Sequence, residues 1–479
     1  MADFGNFIGG EWRPSAGGAT FADENPAFRG TSVGTFQAST AGDIDDALSA
    51  AVEAFRSWHR TPIPERQEAI AAFLRLLAAS REELARIVTL ENGKTIRESR
   101  AEVDSALVEG RYHLNQVAAL HGHTGPGAFR DITTWVQYEP VGVVGIISPW
   151  NFPMNVMCRK ALPALLTGNT VVFKPASFTP WSGVFMAGLF AQAGLPAGVF
   201  NCVTGAGSSI GSALVEDPRV RAISFTGSTE VGKRIQAQAA ATLTRTQLEL
   251  GGKNALIVLD DADVPSAVDA AIVAGFSNAG QWCTSTSRVL VQRGVARDFL
   301  ERLTSRCRAM VVGDGLQEST DMGPVAGAQQ HHDICAAIGR ARAEGARMVA
   351  GDDSRLPTTG YFVAPTVFVD VDPKSALFQD EIFGPVLAVR EFGAVDEAIE
   401  LANDSIYGLS SALFTRDLQT ATRYINGIEA GLAHVNVHTG YKEPSMPFGG
   451  VKQSGAGLPE NSETGLQFFL NRKAVYVRG

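Results

Sequence analysis

Cysteine is scarce in this chain: Cys158, Cys202, Cys283, Cys307 and Cys335 are its five. The number is odd, the positions are scattered, and no pair has metal-ligand spacing. Neither a disulfide framework nor a zinc module is therefore expected, and a reducing, cytoplasmic setting is. Long apolar runs are also missing. Gly, Pro or charge interrupts each one well before the ~20 residues a membrane-crossing helix needs. The first residues show no basic region followed by an apolar core, so no secretory leader is expected. An excess of positive charge is absent too. Lys and Arg number 41 against 50 Asp and Glu, a formal net charge of -9. Nucleic acid is not an expected partner, because a phosphate backbone needs a basic face. Among the eight histidines, His331 and His332 are adjacent and His121 and His123 lie two apart. Neither pair has helical i, i+4 spacing around a Glu, and no bound metal is expected.

What is present is ample core material and glycine. Apolar residues make up 45% of 479 residues, and 50 are Gly. The length suits two or three domains of ~150 residues. Ile70, Phe73, Leu74 and Leu77 share one helix face. Ser80 and Glu83 have capping-box spacing before a second helix carrying Leu84, Ile87 and Val88, and Gly93 closes it. From Val141 the texture changes. The runs Val141–Ile147, Thr170–Phe173, Val199–Val203 and Val220–Phe225 are short and rich in β-branched residues, as in strands buried on both faces. Helical stretches at Ser182–Ala193 and Ser208–Val215 separate them, which means βαβ units and a parallel sheet. A second α/β pattern begins near Gly251, with strands at Ala255–Leu259 and Arg288–Val291 and helices at Val264–Ala274 and Ala296–Met310. The tail Lys473–Arg478 alternates like a strand and needs a sheet to join, a partner subunit being one candidate.

Several residues could carry chemistry. Cys283 lies among small polar residues in Gly280-Gln-Trp-Cys283-Thr-Ser-Thr-Ser-Arg288, unlike a core pattern. A buried structural thiol is the plainer alternative. Glu249, in Leu248-Glu-Leu-Gly-Gly-Lys253, is a carboxylate at an apolar, Gly-rich strand end. It is either catalytic or paired with Lys253 at a helix end. Asn151 stands between Pro149 and Pro153 directly after a strand, where open α/β sheets place ligand groups. An ordinary Asx turn is its alternative. Lys174, followed by Pro175, ends the next strand and could bind ribose hydroxyls or a phosphate. Thr226-Gly227-Ser228 to Gly232 could bring a helix N-terminus to a pyrophosphate, though it is not the full glycine fingerprint.

In this order these residues resemble the aldehyde dehydrogenase superfamily over essentially the whole chain. The motifs include Glu91-Asn-Gly-Lys94, Pro149-Trp-Asn-Phe-Pro153, Lys174-Pro-Ala176, Phe225-Thr-Gly-Ser228, Leu248-Glu-Leu-Gly-Gly252, Gly280-Gln-Trp-Cys283, Glu381-Ile-Phe-Gly-Pro385 and Pro447-Phe-Gly-Gly-Val-Lys452. The resemblance implies a Rossmann-like NAD(P)-binding domain from residues 1–121 and 141–250, and an α/β catalytic domain over 251–447. It also implies a small β oligomerisation element, residues 122–140 with 460–479, in a homodimer or homotetramer. Cys283 resembles the nucleophile, Asn151 with the Cys283 backbone N–H the oxyanion donors, and Glu249 the base that hydrolyses a thioester. Lys174 and Glu381 resemble the ribose contacts, Gly227 and Ser228 the pyrophosphate contacts, and Trp150 and Phe383 further walls of the cofactor site. Strongly NAD-selective members carry Glu three residues after the lysine; Ser177 stands here, which points towards acceptance of NADP as well as NAD.

Arg159 occupies a position that holds the substrate carboxylate in succinate-semialdehyde enzymes and is also Arg in many aromatic-aldehyde enzymes. Their second Arg, six residues before the nucleophile, is Ser277 here. The region 431–476 resembles the α-ketoglutaric-semialdehyde branch. The implied activity is oxidation of a small aldehyde, such as α-ketoglutaric or succinic semialdehyde, to its acid. The alternatives are an aromatic aldehyde, a CoA-acylating dehydrogenase, which Glu249 opposes, and a silent scaffold.

Overall fold

The computed structural model describes residues 3–479. Two α/β units hold two main sheets. The first has eight strands. Its parallel centre runs in spatial order Phe200–Cys202, Thr170–Lys174, Val143–Ile147, Val220–Thr226, Arg245–Glu249. Numbered along the chain that order is third, second, first, fourth, fifth, the doubly wound arrangement. Its ligand crevice opens where the order reverses, outside the carboxyl ends of the first and fourth strands. Asn151 follows the first of these and Gly227 the other. The antiparallel strands Asn6–Ile8 and Glu11–Arg13 close one edge, and Gly455–Ala456 pairs antiparallel with Arg245–Glu249 at the other.

The second sheet has seven strands and is parallel except for the edge strand Arg347–Ala350. The chain passes from Glu249, the last residue of one sheet, to Asn254, the first of its neighbour, through Leu250-Gly-Gly-Lys253. Cys283 lies just before the amino end of the Thr286–Gln292 strand. The carboxyl edge of one sheet thus faces the amino edge of the other, with Glu249 and Cys283 at the seam. A third, three-stranded sheet places Ile132–Pro140 between Thr124–Pro126 and the terminal strand Leu470–Arg478. The tail strand therefore finds its sheet within its own chain, and its other edge is open.

The periodic segments fold as their patterns dictate. Ile70, Phe73, Leu74 and Leu77 are all buried in the helix Ile63–Ala79. Gly93 ends the helix Arg81–Asn92 at φ 93, a left-handed cap that only glycine adopts without strain. The capping box at Ser80 does not form. The preceding helix runs to Ala79 and holds Ser80 near φ -92, ψ 11, so its hydroxyl has no capping hydrogen bond. A capping box occurs instead at Thr95 and Glu98, opening the helix Ile96–Gln116. The helix-end pairing of Glu249 with Lys253 is also absent. No helix lies there, and the Lys253 ammonium is buried with no hydrogen-bond partner among the described residues.

Candidate active site

Asn151 sits on a loop clamped from below. The Lys94 ammonium donates to the Asn151 carbonyl and, at 2.7 Å, to Glu102. The other Glu102 oxygen accepts the Met154 and Asn155 backbone N–H groups at 3.1 Å each. That carboxylate caps the helix Pro153–Leu166, where a negative charge suits the helix dipole. The Asn151 side-chain amide is not in an Asx turn. It donates across the seam to the Gln281 carbonyl at 3.0 Å, two residues before Cys283.

The segment before Cys283 is unusual. Asn278, Ala279 and Gly280 have φ of 51°, 52° and 70°. Left-handed backbone at a non-glycine residue costs about 1–2 kcal/mol, and surrounding contacts must hold it. Here Asn278 donates to the Asn151 carbonyl at 3.0 Å and Asn254 to the Cys283 carbonyl at 2.8 Å. At Gly280 an added Cβ would lie 2.2 Å from the Gly384 carbonyl oxygen, so no side chain fits. Burial pushes the Cys283 thiol up to about 12, despite the opposing fields of Arg159 and Lys442.

Glu249 is buried, and one of its carboxyl oxygens has no partner. Burial, then the nearby Glu460, raises its pKa well above the ordinary range, against Lys160 and Arg159. Glu460 is engaged by the Lys160 ammonium and by Arg159 at 3.4 Å.

Two cavities meet at Cys283 and Asn151. One, of about 200 Å³, is also lined by Trp150, Gly227, Ser228, Glu381 and Phe383. Ser228 caps the helix Thr229–Ala239, turning backbone N–H groups towards this space. The Trp150 and Phe383 rings meet edge-on at 5.4 Å. Burial lifts the Glu381 carboxyl to about 7, although it accepts the Gly252 N–H at 3.0 Å. Gly251 leaves that carboxyl room, since a Cβ there would meet it at 2.2 Å. Lys174 and Ser177 stand apart from this lining, at the next strand end. The Lys174 ammonium is lowered to about 8 by burial, and Ser177 donates to the Gly205 carbonyl at 3.0 Å.

The other cavity, of about 400 Å³, has an aromatic wall of Phe152, Trp282, Tyr441 and Phe448 and a charged end. There Arg159 is buried. It donates to Glu109 at 3.2 and 3.3 Å and to the Asn155 side-chain oxygen at 2.8 Å, and stacks over Phe448 at 4.6 Å. Lys442 also donates to Glu109 and, at 3.0 Å, to Asn155. Burial alone would raise the Glu109 carboxyl, but these two cations hold it down at about 2. Sequence reasoning missed Glu109, Glu460 and Lys160, and it reached Lys442 only as part of a pocket-lining stretch, residues 438–444. Glu102 and Glu109 did leave a signal. They lie seven apart on a helix face shared with the buried Val103, Ala106 and Gly110, where a carboxylate survives only with a partner.

A cysteine, an amide donor and a buried carboxyl lie together beside two cavities at the edge of a doubly wound sheet, an arrangement with room for two ligands. The sequence matches the aldehyde dehydrogenase family over residues 12–475. It is 39% identical to the alpha-ketoglutaric semialdehyde dehydrogenase of Bacillus subtilis, over 99% of this chain and 98% of that one. It is 40% identical to the alpha-ketoglutarate semialdehyde dehydrogenase of Haloferax volcanii, over 98% of each. The structure superposes on betaine aldehyde dehydrogenase from Staphylococcus aureus in complex with NAD+ with a TM-score of 0.96 at 36% identity, covering 99% of this chain and 95% of that one. This chain belongs to the aldehyde dehydrogenase family.

Proposed function

We propose that this enzyme oxidises a small carboxylated semialdehyde, of the α-ketoglutaric or succinic type, to its acid through a thioester on Cys283. The observation that carries this reading is the meeting of two cavities at Cys283 and Asn151. The smaller suits the nicotinamide end of a dinucleotide, NAD or NADP, which when bound accepts hydride from the substrate, the rest extending towards Lys174 and Ser177. Glu381 and Lys174 would hold its riboses, Gly227 and Ser228 its pyrophosphate, with Trp150 and Phe383 as walls. At Ser177 a hydroxyl stands where a carboxylate would repel a 2′-phosphate, which supports use of NADP.

The Cys283 thiol gives up its proton to water, its sulfur attacks the aldehyde carbon, and the oxyanion that forms is held by the Asn151 amide and the Cys283 backbone N–H. Loss of hydride from that carbon leaves the thioester. Glu249 takes a proton from water, the oxygen adds to the thioester carbon, and the sulfur departs. Asn151→Ala will lower kcat about a hundredfold or more with KM little changed, as for loss of one oxyanion donor. Steady-state kinetics check this.

The parallel alternative, an aromatic aldehyde, is favoured by the wall of Phe152, Trp282, Tyr441 and Phe448. Absorbance at 340 nm over succinic, glutaric and α-ketoglutaric semialdehydes and benzaldehyde, each with NAD and NADP, decides. Preference for the acidic aldehydes supports the proposal, and preference for benzaldehyde overturns it. We further propose a cytoplasmic homodimer or homotetramer. The open edge of Leu470–Arg478, with Tyr476 and Val477 exposed, supports assembly there. The domain division is proposed along the three sheets.

A further inference from the structure

The charged end of the larger cavity holds two cations, and they differ in how far a ligand can reach them. Arg159 has five N–H donors. Glu109 takes two, Asn155 one and Glu460 one, and the side chain is only 5% exposed. One donor remains, but it is buried with the rest of the guanidinium. Lys442 has three N–H donors. Glu109 and Asn155 accept two of them, and the side chain is 23% exposed on the cavity wall. One donor is free where a ligand can reach it.

Charge points the same way. At this end Arg159, Lys160 and Lys442 form ion pairs with two carboxylates, Glu109 and Glu460, while Glu249, within the field of Arg159 and Lys160, is pushed towards its neutral form by burial. The other carboxylates on the cavity are engaged elsewhere. Glu102 pairs with Lys94, and Glu98 accepts from Thr95 and the Asn278 N–H. Burial and the repulsion of Arg159 lower the Lys442 pKa, a tension that a further anion would relieve.

We propose that Lys442 is the residue that reads the distal carboxylate of the substrate. Arg159 acts behind it as a positioning residue, holding Glu109 and Asn155 so that the ammonium presents its free N–H to the cavity. This rests on the reading of the substrate as an acidic semialdehyde. It moves the specificity determinant from Arg159 in the helix Pro153–Leu166 to the loop between Leu432–Val435 and Val451–Lys452.

Lys442 also lies within electrostatic reach of the Cys283 thiol. The test must therefore separate recognition from activation. Glutaric semialdehyde and its methyl ester share the reacting aldehyde and differ in the distal charge. The wild-type enzyme, Lys442→Met, Lys442→Gln and Lys442→Arg are compared by kcat/KM on both. The ratio of acid to ester will fall about thirtyfold in Lys442→Met and Lys442→Gln, mainly through KM for the acid, and Lys442→Arg will largely restore it. Equal losses on both substrates would assign Lys442 to thiol activation or structure and overturn the proposal. A wild-type preference for the acid that survives in Lys442→Met would also overturn it, while leaving the acidic substrate class standing. No wild-type preference for the acid would remove that class and Lys442's role together.

Discussion

Cys283→Ala is expected to abolish aldehyde-dependent cofactor reduction, a loss of at least about ten-thousandfold, because no other group can form the thioester. The protein should remain folded. Cys283 is not a packing residue of the buried clusters, and its carbonyl, not its sulfur, is what Asn254 holds. Cys158, Cys202 and Cys307 are buried elsewhere and cannot substitute. Reactivity with iodoacetamide gives an independent check on the wild-type thiol. With its pKa at about 12, the group is protonated at neutral pH in the free enzyme. Alkylation should be slow there and rise as the pH is raised, since only the thiolate attacks. Fast labelling at pH 7, followed by mass spectrometry of the peptide, would contradict that environment.

Glu249→Gln should split the reaction in two. Thioester formation needs the Cys283 thiolate, the oxyanion donors and a nicotinamide to take the hydride, whereas hydrolysis needs a base for water. Turnover should fall about a thousandfold. A burst of reduced cofactor, up to one equivalent per active site, should remain, and the acyl adduct on Cys283 should be visible by intact mass. Turnover without a burst would remove Glu249 from the hydrolytic step. The pH dependence carries a definite sign. Burial raises the Glu249 pKa, and the base works only deprotonated, so wild-type hydrolysis should increase as the pH rises through that pKa and fall below it. The variant should lose this dependence.

Much of this was legible from residues. The β-branched runs from Val141 to Phe225 specified a parallel sheet because buried strands have no solvent face and read as continuous apolar segments. The helix pattern at Ile70–Leu77 needed only periodicity. The prolines around Asn151 marked a rigid loop. What escaped was whatever depended on distant segments meeting. Ser80 has the right neighbours for a capping box, but the length of the preceding helix decides its backbone. Glu249 and Lys253 are close in sequence, yet the chain between them crosses from one sheet to the other, so they do not pair. The charged end of the cavity joins Glu109, Arg159, Lys442 and Glu460 from four separate regions. No local pattern encodes such a gathering; only the uneconomical burial of Glu109 in a helix face hinted at it.

The strand ending in Glu249 is bordered on its outer side by Gly455–Ala456, and Glu460 comes just after. Some two hundred residues of chain separate the two halves of this arrangement. During synthesis at ~5–20 residues per second, the first sheet must wait on the order of tens of seconds for its last border. On the proposed mechanism the growing chain would therefore carry Cys283 for a time without Glu249 in a finished environment. On that mechanism a chain released before Gly455 would be able to take up an acyl group but would have no completed means of letting it go.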